Sequence, residues 1–287
     1  MRKHLSLTIE QEQDGLSLKT VFMRYMNLSR HEISRLKFSD GILVNGEKKH
    51  VSYIVEKGDQ IELVFPEQET SYEYRNNIDV ESIILYEDED MLIVDKPAGI
   101  PVHPGHGHLE DSLGSAVSAY CGNSIRAIGR LDKDVCGVMV YAKNQPSAAR
   151  LWKEKSEGVL TKTYLAVCEG VFEKKSDTLV FHIEKEEGKR ARKASFDSEY
   201  NAVTRYEVLE QDEDSALVKV NIETGRTHQI RAGFGMIGHP IIGDTLYGSK
   251  VTGQVLLQCC EVKCIQPFTG EEIHVKSRKR IRKEEEG

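Results

Sequence analysis

A chain of 287 residues is roughly twice the ~150 residues of a usual domain, which predicts one large domain with a small companion. Charged residues make up 30% and hydrophobic ones 39%, a globular balance that excludes a disordered or fibrous chain. No stretch approaches the ~20 consecutive apolar residues of a membrane helix, and the N-terminus alternates polar and apolar residues rather than forming an apolar signal. A cytoplasmic chain with no membrane partner is therefore expected.

Leu18, Val21, Phe22, Tyr25 and Met26 fall on one face of a helix. Ser29-Arg30-His31-Glu32 has the spacing of a capping box, and Ile33 and Leu36 continue a second helix that Gly41 is expected to end in a left-handed conformation. Ile42-Leu43-Val44 then reads as a strand entering an Asn45-Gly46 turn, and Ile61, Leu63 and Phe65 alternate after a turn at Gly58-Asp59. Arg24, Arg30, Arg35, Lys37, Lys48 and Lys49 gather on or beside the second helix and the hairpin, where they serve either as a solvated face or as a phosphate-binding one.

The formal charge of −7 argues at first against nucleic acid, since phosphate binding needs bases. Its distribution reverses that argument. Residues 1–64 hold ten Lys/Arg and nine Asp/Glu, residues 65–90 hold one and nine, and residues 91–287 hold 28 of each. The excess acid therefore belongs to one segment, read as a solvated linker over 66–80, between two near-neutral bodies over 1–65 and 81–287.

The second body is predicted as α+β with a mixed, largely antiparallel sheet. Strands are expected at 83–86, 91–94, 138–142, 163–167, 203–209, 216–222, 255–265 and 273–275, and helices at 112–120, 146–157 and 228–236. Six cysteines without a C-x-x-C pair read as reduced core thiols. His103, His106 and His108 share a loop but find no partners at zinc-ligand spacing, so no metal is expected. Neither a Gly-x-Gly-x-x-Gly turn nor a Walker lysine occurs, so no nucleotide cofactor is expected.

Four constellations stand out, and each by itself has a structural explanation. Asp95-Lys96-Pro97-Ala98-Gly99 fits a strand ending in a turn. Gly129-Arg130-Leu131-Asp132-Lys133-Asp134 sets charges beside an apolar run. Tyr164 alternates within a strand, and Thr224-Gly225-Arg226-Thr227-His228-Gln229-Ile230-Arg231 leads into a helix. A basic run at 189–193 is expected in a loop, and a second spans 276–283.

Taken together and in this order, with Gly238-His239-Pro240-Ile241-Ile242-Gly243-Asp244 and Leu246-Tyr247-Gly248 following, these motifs resemble the RluA family of RNA pseudouridine synthases over residues 81–280. Residues 15–65 resemble the S-four-like RNA-binding domain, a small αL-type module. That second resemblance implies that Arg35 and Lys37 bind RNA through phosphates and shape.

The family resemblance implies cofactor-free isomerisation of uridine in structured RNA, ribosomal or transfer RNA, by a monomer. It implies that Asp132 is the catalytic carboxylate, either attacking the anomeric carbon or removing the neighbouring 2′ proton. Tyr164 would line the pocket against the base, and Arg231 would pair with Asp132 and keep it ionised. Arg130 would support the flipped nucleotide. Leu131, Arg226, His228 and Gln229 complete the implied substrate-binding set. The chain departs from the usual H-R-L-D-x-x-T-S-G by carrying Gly129, Val135 and Cys136, which alters the loop's support and not its carboxylate. A non-catalytic RNA-binding assembly factor of the same fold is the alternative.

Overall fold

Serines start the first two helices because their side chains accept amide protons that the first helical turn leaves unpaired. Ser17 Oγ accepts from Thr20 N ahead of α1 (Leu18–Arg24), and Ser29 exchanges hydrogen bonds with Glu32 at 3.2 and 2.8 Å in a complete capping box ahead of α2 (Arg30–Phe38). These elements come from a computed structural model that describes residues 4–26, 28–65, 78–103, 111–197 and 199–281. The chain divides into two compact units, Met1–Tyr72 and Glu73–Gly287.

In the first unit, β1 (His4–Thr8), β2 (Ile42–Val44), β3 (Glu47–Lys48) and β4 (Gln60–Val64) form an antiparallel sheet in the order β1-β4-β2-β3. Leu18, Val21, Phe22, Leu36, Ile61 and Leu63 are fully buried between helices and sheet. Asn45 and Gly46 take positive φ in the β2–β3 turn, as expected of Asn-Gly. Gly41 does not: Asp40 adopts the left-handed conformation after α2, and Gly41 instead lies so close to the Val64 carbonyl that a Cβ there would overlap it. Strand β1 also lies outside the sequence-based expectation.

The second unit is built on an 11-stranded sheet. Its elements are α3 (Val80–Ile83), β5 (Ile84–Glu87), β6 (Met91–Lys96), α4 (Leu113–Cys121), β7 (Arg126–Ala127), β8 (Cys136–Ala142), α5 (Gln145–Ser156), β9 (Thr161–Glu169), β10 (Ser176–Lys185), β11 (Arg192–Ser195), β12 (Ala202–Gln211), β13 (Ser215–Ile222), α6 (Gln229–Met236), β14 (Leu257–Ile265) and β15 (Glu272–Lys276). A 3₁₀ turn spans Thr245–Tyr247. The order is β11-β10-β12-β13-β9-β14-β8-β6-β5, with β15 on β14 and β7 on β8.

Every ladder is antiparallel except β14–β8, where Gln258 and Cys259 run beside Cys136 and Gly137. Gly137, at φ 110°, faces the Cys259 backbone at a distance that leaves no room for a side chain. This close approach brings together β8, which follows the Asp132 loop, and β14, which pairs with Tyr164 on β9. Met91, Leu92, Ile93 and Val94 are buried on both faces of β6, and each contributes roughly 1.5–3 kcal/mol by leaving water. Phe172, Tyr206 and Phe234 meet edge to face, while His239 stacks on Phe172 at 4.0 Å, seating α6 on the sheet.

Two further departures concern β10 and β11. Neither was expected, although Leu179, Phe181 and Ile183 alternate as buried residues along β10. The basic run expected in a loop enters β11 at Arg192. The acidic segment over 66–77, His106, His108 and the last residues of the basic tail lie outside the described residues. Among the described residues, no group of acidic, histidine and cysteine side chains has the makings of a metal site.

Candidate active site

Asp132 lies in the loop between β7 and β8, and that loop is fastened from beneath by Lys96, a side chain only 1% exposed. Lys96 Nζ donates to the carbonyls of Pro97, Lys133 and Val135 at 2.9, 3.0 and 2.7 Å. Two of those carbonyls follow Asp132 in the chain, one and three residues on. The Gly99 amide also donates to Lys133 O, and the Val135 amide to Asp132 O. Leu131 is buried, while Arg130 before it is exposed and Asp132 after it is half-buried. Burial lowers the Lys96 pKa to about 8, with the fields of Cys136, Asp134 and Asp132 opposing the shift.

Arg231 approaches from α6. Its Nε and Nη2 donate to the two oxygens of Asp244 at 2.6 and 2.8 Å, and Nη1 reaches Asp132 Oδ2 at 3.4 Å. The expected partnership with Asp132 is therefore present, but the shorter, bidentate pair is with Asp244. The guanidinium also lies over the Tyr247 ring, 5.4 Å from its centroid. Burial works against the charge, yet the two carboxylates raise the Arg231 pKa above its already high value.

His228 completes this side of the pocket. It takes a left-handed backbone conformation (φ 58°) at the N-cap of α6, uncommon for a residue with a side chain. The imidazole Nε2 lies 3.8 Å from Asp132 Oδ2, and Nδ1 is 2.8 Å from the Tyr247 hydroxyl. That hydroxyl already accepts the Arg192 amide. A Tyr247 proton directed at Nδ1 sets the tautomer in which the Nε2–H of His228 faces the carboxylate. Burial lowers the His228 pKa, partly offset by Asp132 and reinforced by Arg231.

Tyr164 is buried on β9 opposite Cys259 and Val220. Burial first, then the nearby Cys259, Asp132 and Cys260, pushes its phenol well above the ordinary tyrosine value, so it is a neutral ring and not a standing base. Arg130 Nη1 donates to Thr227 Oγ1 at 3.1 Å, linking the Asp132 loop to the segment that enters α6.

Gln229 is brought to the floor of this segment and not to its opening. Its Oε1 accepts from Thr224 Oγ1 and Arg226 N, and its Nε2 donates to Val203 O and Thr204 Oγ1. That fills the amide's hydrogen-bonding capacity and ties Gln229 to β12. Arg226 remains exposed and donates through Nε to Asn201 O. Arg35 and Lys37 belong to the first unit, in the last turn of α2, where cations also suit the helix dipole. Lys96, Asp244 and Tyr247 emerge as site residues only from the structure.

The site sets the Asp132 carboxylate against a guanidinium and an imidazole, with the neutral Tyr164 ring buried nearby on β9. The comparisons agree with that chemistry. Residues 90–234 match the family of RNA pseudouridylate synthases, and residues 5–61 match the N-terminal domain of the RluD ribosomal pseudouridine synthases. An uncharacterized RNA pseudouridine synthase of Bacillus subtilis, YhcT, is 32% identical over 278 residues, 93% of this chain and 91% of that protein. The ribosomal large subunit pseudouridine synthase D of Pseudomonas aeruginosa is 34% identical over 254 residues, 86% and 78% of the two chains. The solved structure of human RNA pseudouridylate synthase domain containing 1, at 22% identity, shares the fold with a TM-score of 0.58 over 69% of this chain and 83% of that one. The chain belongs to the RNA pseudouridylate synthase family. It is an enzyme that isomerises uridine in RNA to pseudouridine.

Proposed function

We propose that the target uridines lie in large-subunit ribosomal RNA and that Asp132 is the catalytic residue of a monomer acting in the cytoplasm. The substrate class rests on likeness to the large-subunit synthases of Pseudomonas aeruginosa and Haemophilus influenzae. The assignment of Asp132 rests on one observation above all: its Oδ2 stands between Arg231 at 3.4 Å and His228 at 3.8 Å, on a loop fixed by a buried lysine.

The carboxylate either attacks C1′ or removes the 2′ proton, and in both routes the C1′–N1 bond breaks with its electron pair leaving on the uracil. The uracil turns over Tyr164, and C1′ bonds to C5 as the aspartate–C1′ bond breaks in the first route or as the aspartate returns its proton to C2′ in the second; C5 then loses a proton and N1 gains one. Atoms and charge balance without a co-reactant. Arg231 stabilises the aspartate while it is anionic, and Asp244 fixes the guanidinium so that one nitrogen remains for Asp132. Arg130, exposed beside the loop, supports the nucleotide once it has left its stack.

The test is pseudouridine mapping of ribosomal RNA by reverse transcription, in cells with the protein and without it. Loss of modification at discrete large-subunit positions is the expected result. An unchanged ribosomal map with losses confined to transfer RNA would overturn the substrate assignment.

A further inference from the structure

Lysines in this protein commonly meet a carboxylate: Lys48 pairs with Asp40, Lys49 with Glu47, Lys143 with Glu87 and Lys174 with Asp177, all within 2.8 Å. Among the described residues, Lys155 and Lys162 do not. Lys155, in the last turn of α5, has its ammonium 4.5 Å from the centre of the Trp152 ring. Lys162, on β9, reaches no closer polar partner among the described residues than the Met139 sulfur at 3.9 Å. Both are half-buried. Their charges oppose each other, and no carboxylate contributes to the electrostatics of either.

Their position matters as much as their isolation. Lys155 Nζ presses against Gly129 and Gly225, where a Cβ would stand 3.0 and 3.9 Å from it. Gly129 opens the loop that carries Arg130, Leu131 and Asp132. Gly225 opens the segment that carries Arg226, Thr227 and His228, and Arg130 and Thr227 bridge the two. Lys162 lies two residues before Tyr164 and so on the same face of β9. Lys155 thus stands at the foot of both loops, with the Lys162 charge acting on it from β9.

Two like charges in half-desolvated surroundings are unfavourable unless an anion joins them. No protein group among the described residues supplies one, whereas an RNA strand brings one negative charge with every nucleotide. A nucleotide drawn out of its stack also needs a hold on its backbone that does not depend on base pairing. We propose that Lys155, with Lys162 behind it, forms a seat for one phosphodiester group of the RNA strand beside the target uridine. This rests on the reading that the pocket acts on RNA. Burial and mutual repulsion lower the Lys155 pKa, as expected of a cation whose counter-ion arrives with the substrate. Lys155 is here a substrate-positioning residue with no part in the bond exchange.

The experiment uses the full chain and unmodified, transcribed large-subunit ribosomal RNA as probe, measuring affinity over a salt series and single-turnover conversion. Lys155→Gln should flatten the slope of log affinity against log salt by roughly 0.7 to 0.9, one phosphate's worth, and raise the RNA concentration for half-maximal conversion several fold. Lys155→Arg should restore the slope. Lys153→Gln, on the same helix but paired at the surface with Glu157, should leave it unchanged. Thermal melting verifies that each variant is folded. An unchanged slope in a folded Lys155→Gln, or a slope that Lys155→Arg fails to restore, overturns the seat. A wild-type protein that binds this RNA but converts none of it overturns the substrate assignment, while the slope comparison still judges the seat.

Discussion

Lys96 and Arg231 are both buried cations within reach of Asp132, and the protein neutralises them by different means. Three backbone carbonyls surround Lys96; two carboxylates hold Arg231. Two of the carbonyls, of Lys133 and Val135, belong to the chain just after Asp132, so Lys96 anchors the loop that carries the aspartate. The carboxylates include Asp132 itself, so Arg231 fixes where its side chain points. One cation organises main chain and the other organises charge. A buried ion is tolerated in either setting provided that its partners are complete.

The largest effect should follow from breaking the second arrangement. Asp244→Ala leaves Arg231 buried with only the longer contact to Asp132, and removing one partner of a buried pair costs about 3–5 kcal/mol. Urea denaturation measures this, and a loss below about 1 kcal/mol would mean that solvent reaches the guanidinium.

Lys96→Met breaks the first arrangement. It removes the ammonium from three carbonyls, of which Lys133 O keeps the Gly99 amide, and should cost about 2–4 kcal/mol, with turnover falling because the Asp132 loop loosens. The same residue gives a pH signature. Its folded pKa of about 8 lies below the unfolded 10.5, so the folded state releases the proton first. Its contribution to stability therefore grows as pH rises from 8 towards 10.5 and is lost as pH falls through 8. Denaturation midpoints should rise over that window in the wild type relative to Lys96→Met; parallel profiles would contradict the shift.

Tyr247→Phe should have the smallest effect, about 1 kcal/mol. It removes the hydroxyl shared by the Arg192 amide and His228 but leaves both cation arrangements whole. A shift of the His228 ring signals in NMR, with the Arg231 contacts retained, is the expected sign; unaltered signals would mean that the hydroxyl does not set the tautomer.

What the sequence discloses follows the same division. Asp132, Tyr164 and Arg231 are legible because ordered side-chain motifs carry them, and the central strands are legible because buried runs such as Met91–Val94 have no polar interruption. The Lys96 tether is not, because carbonyls 37 and 39 residues away leave no mark in side-chain chemistry. Asp244 lies in a quoted motif, yet nothing in its local pattern says that Arg231 prefers it to Asp132. Gln229 reads as a binding residue through the family motif it belongs to, and only the fold shows the hydrogen bonds its amide makes to Thr224, Arg226, Val203 and Thr204. Gly41 reads as a helix stop because glycine tolerates positive φ, but Asp40 takes that conformation and close packing against Val64 accounts for the glycine.

The central claim is that the carboxylate between Arg231 and His228 performs the bond exchange, and Asp132→Asn tests it most directly. The amide keeps the shape and removes the charge. Single-turnover conversion of large-subunit ribosomal RNA, followed by pseudouridine mapping alongside an affinity measurement, should show conversion lost by at least a thousandfold, about 4 kcal/mol in the barrier, with RNA affinity within a few fold of wild type. Substantial conversion by that variant, at unchanged affinity, would contradict the account.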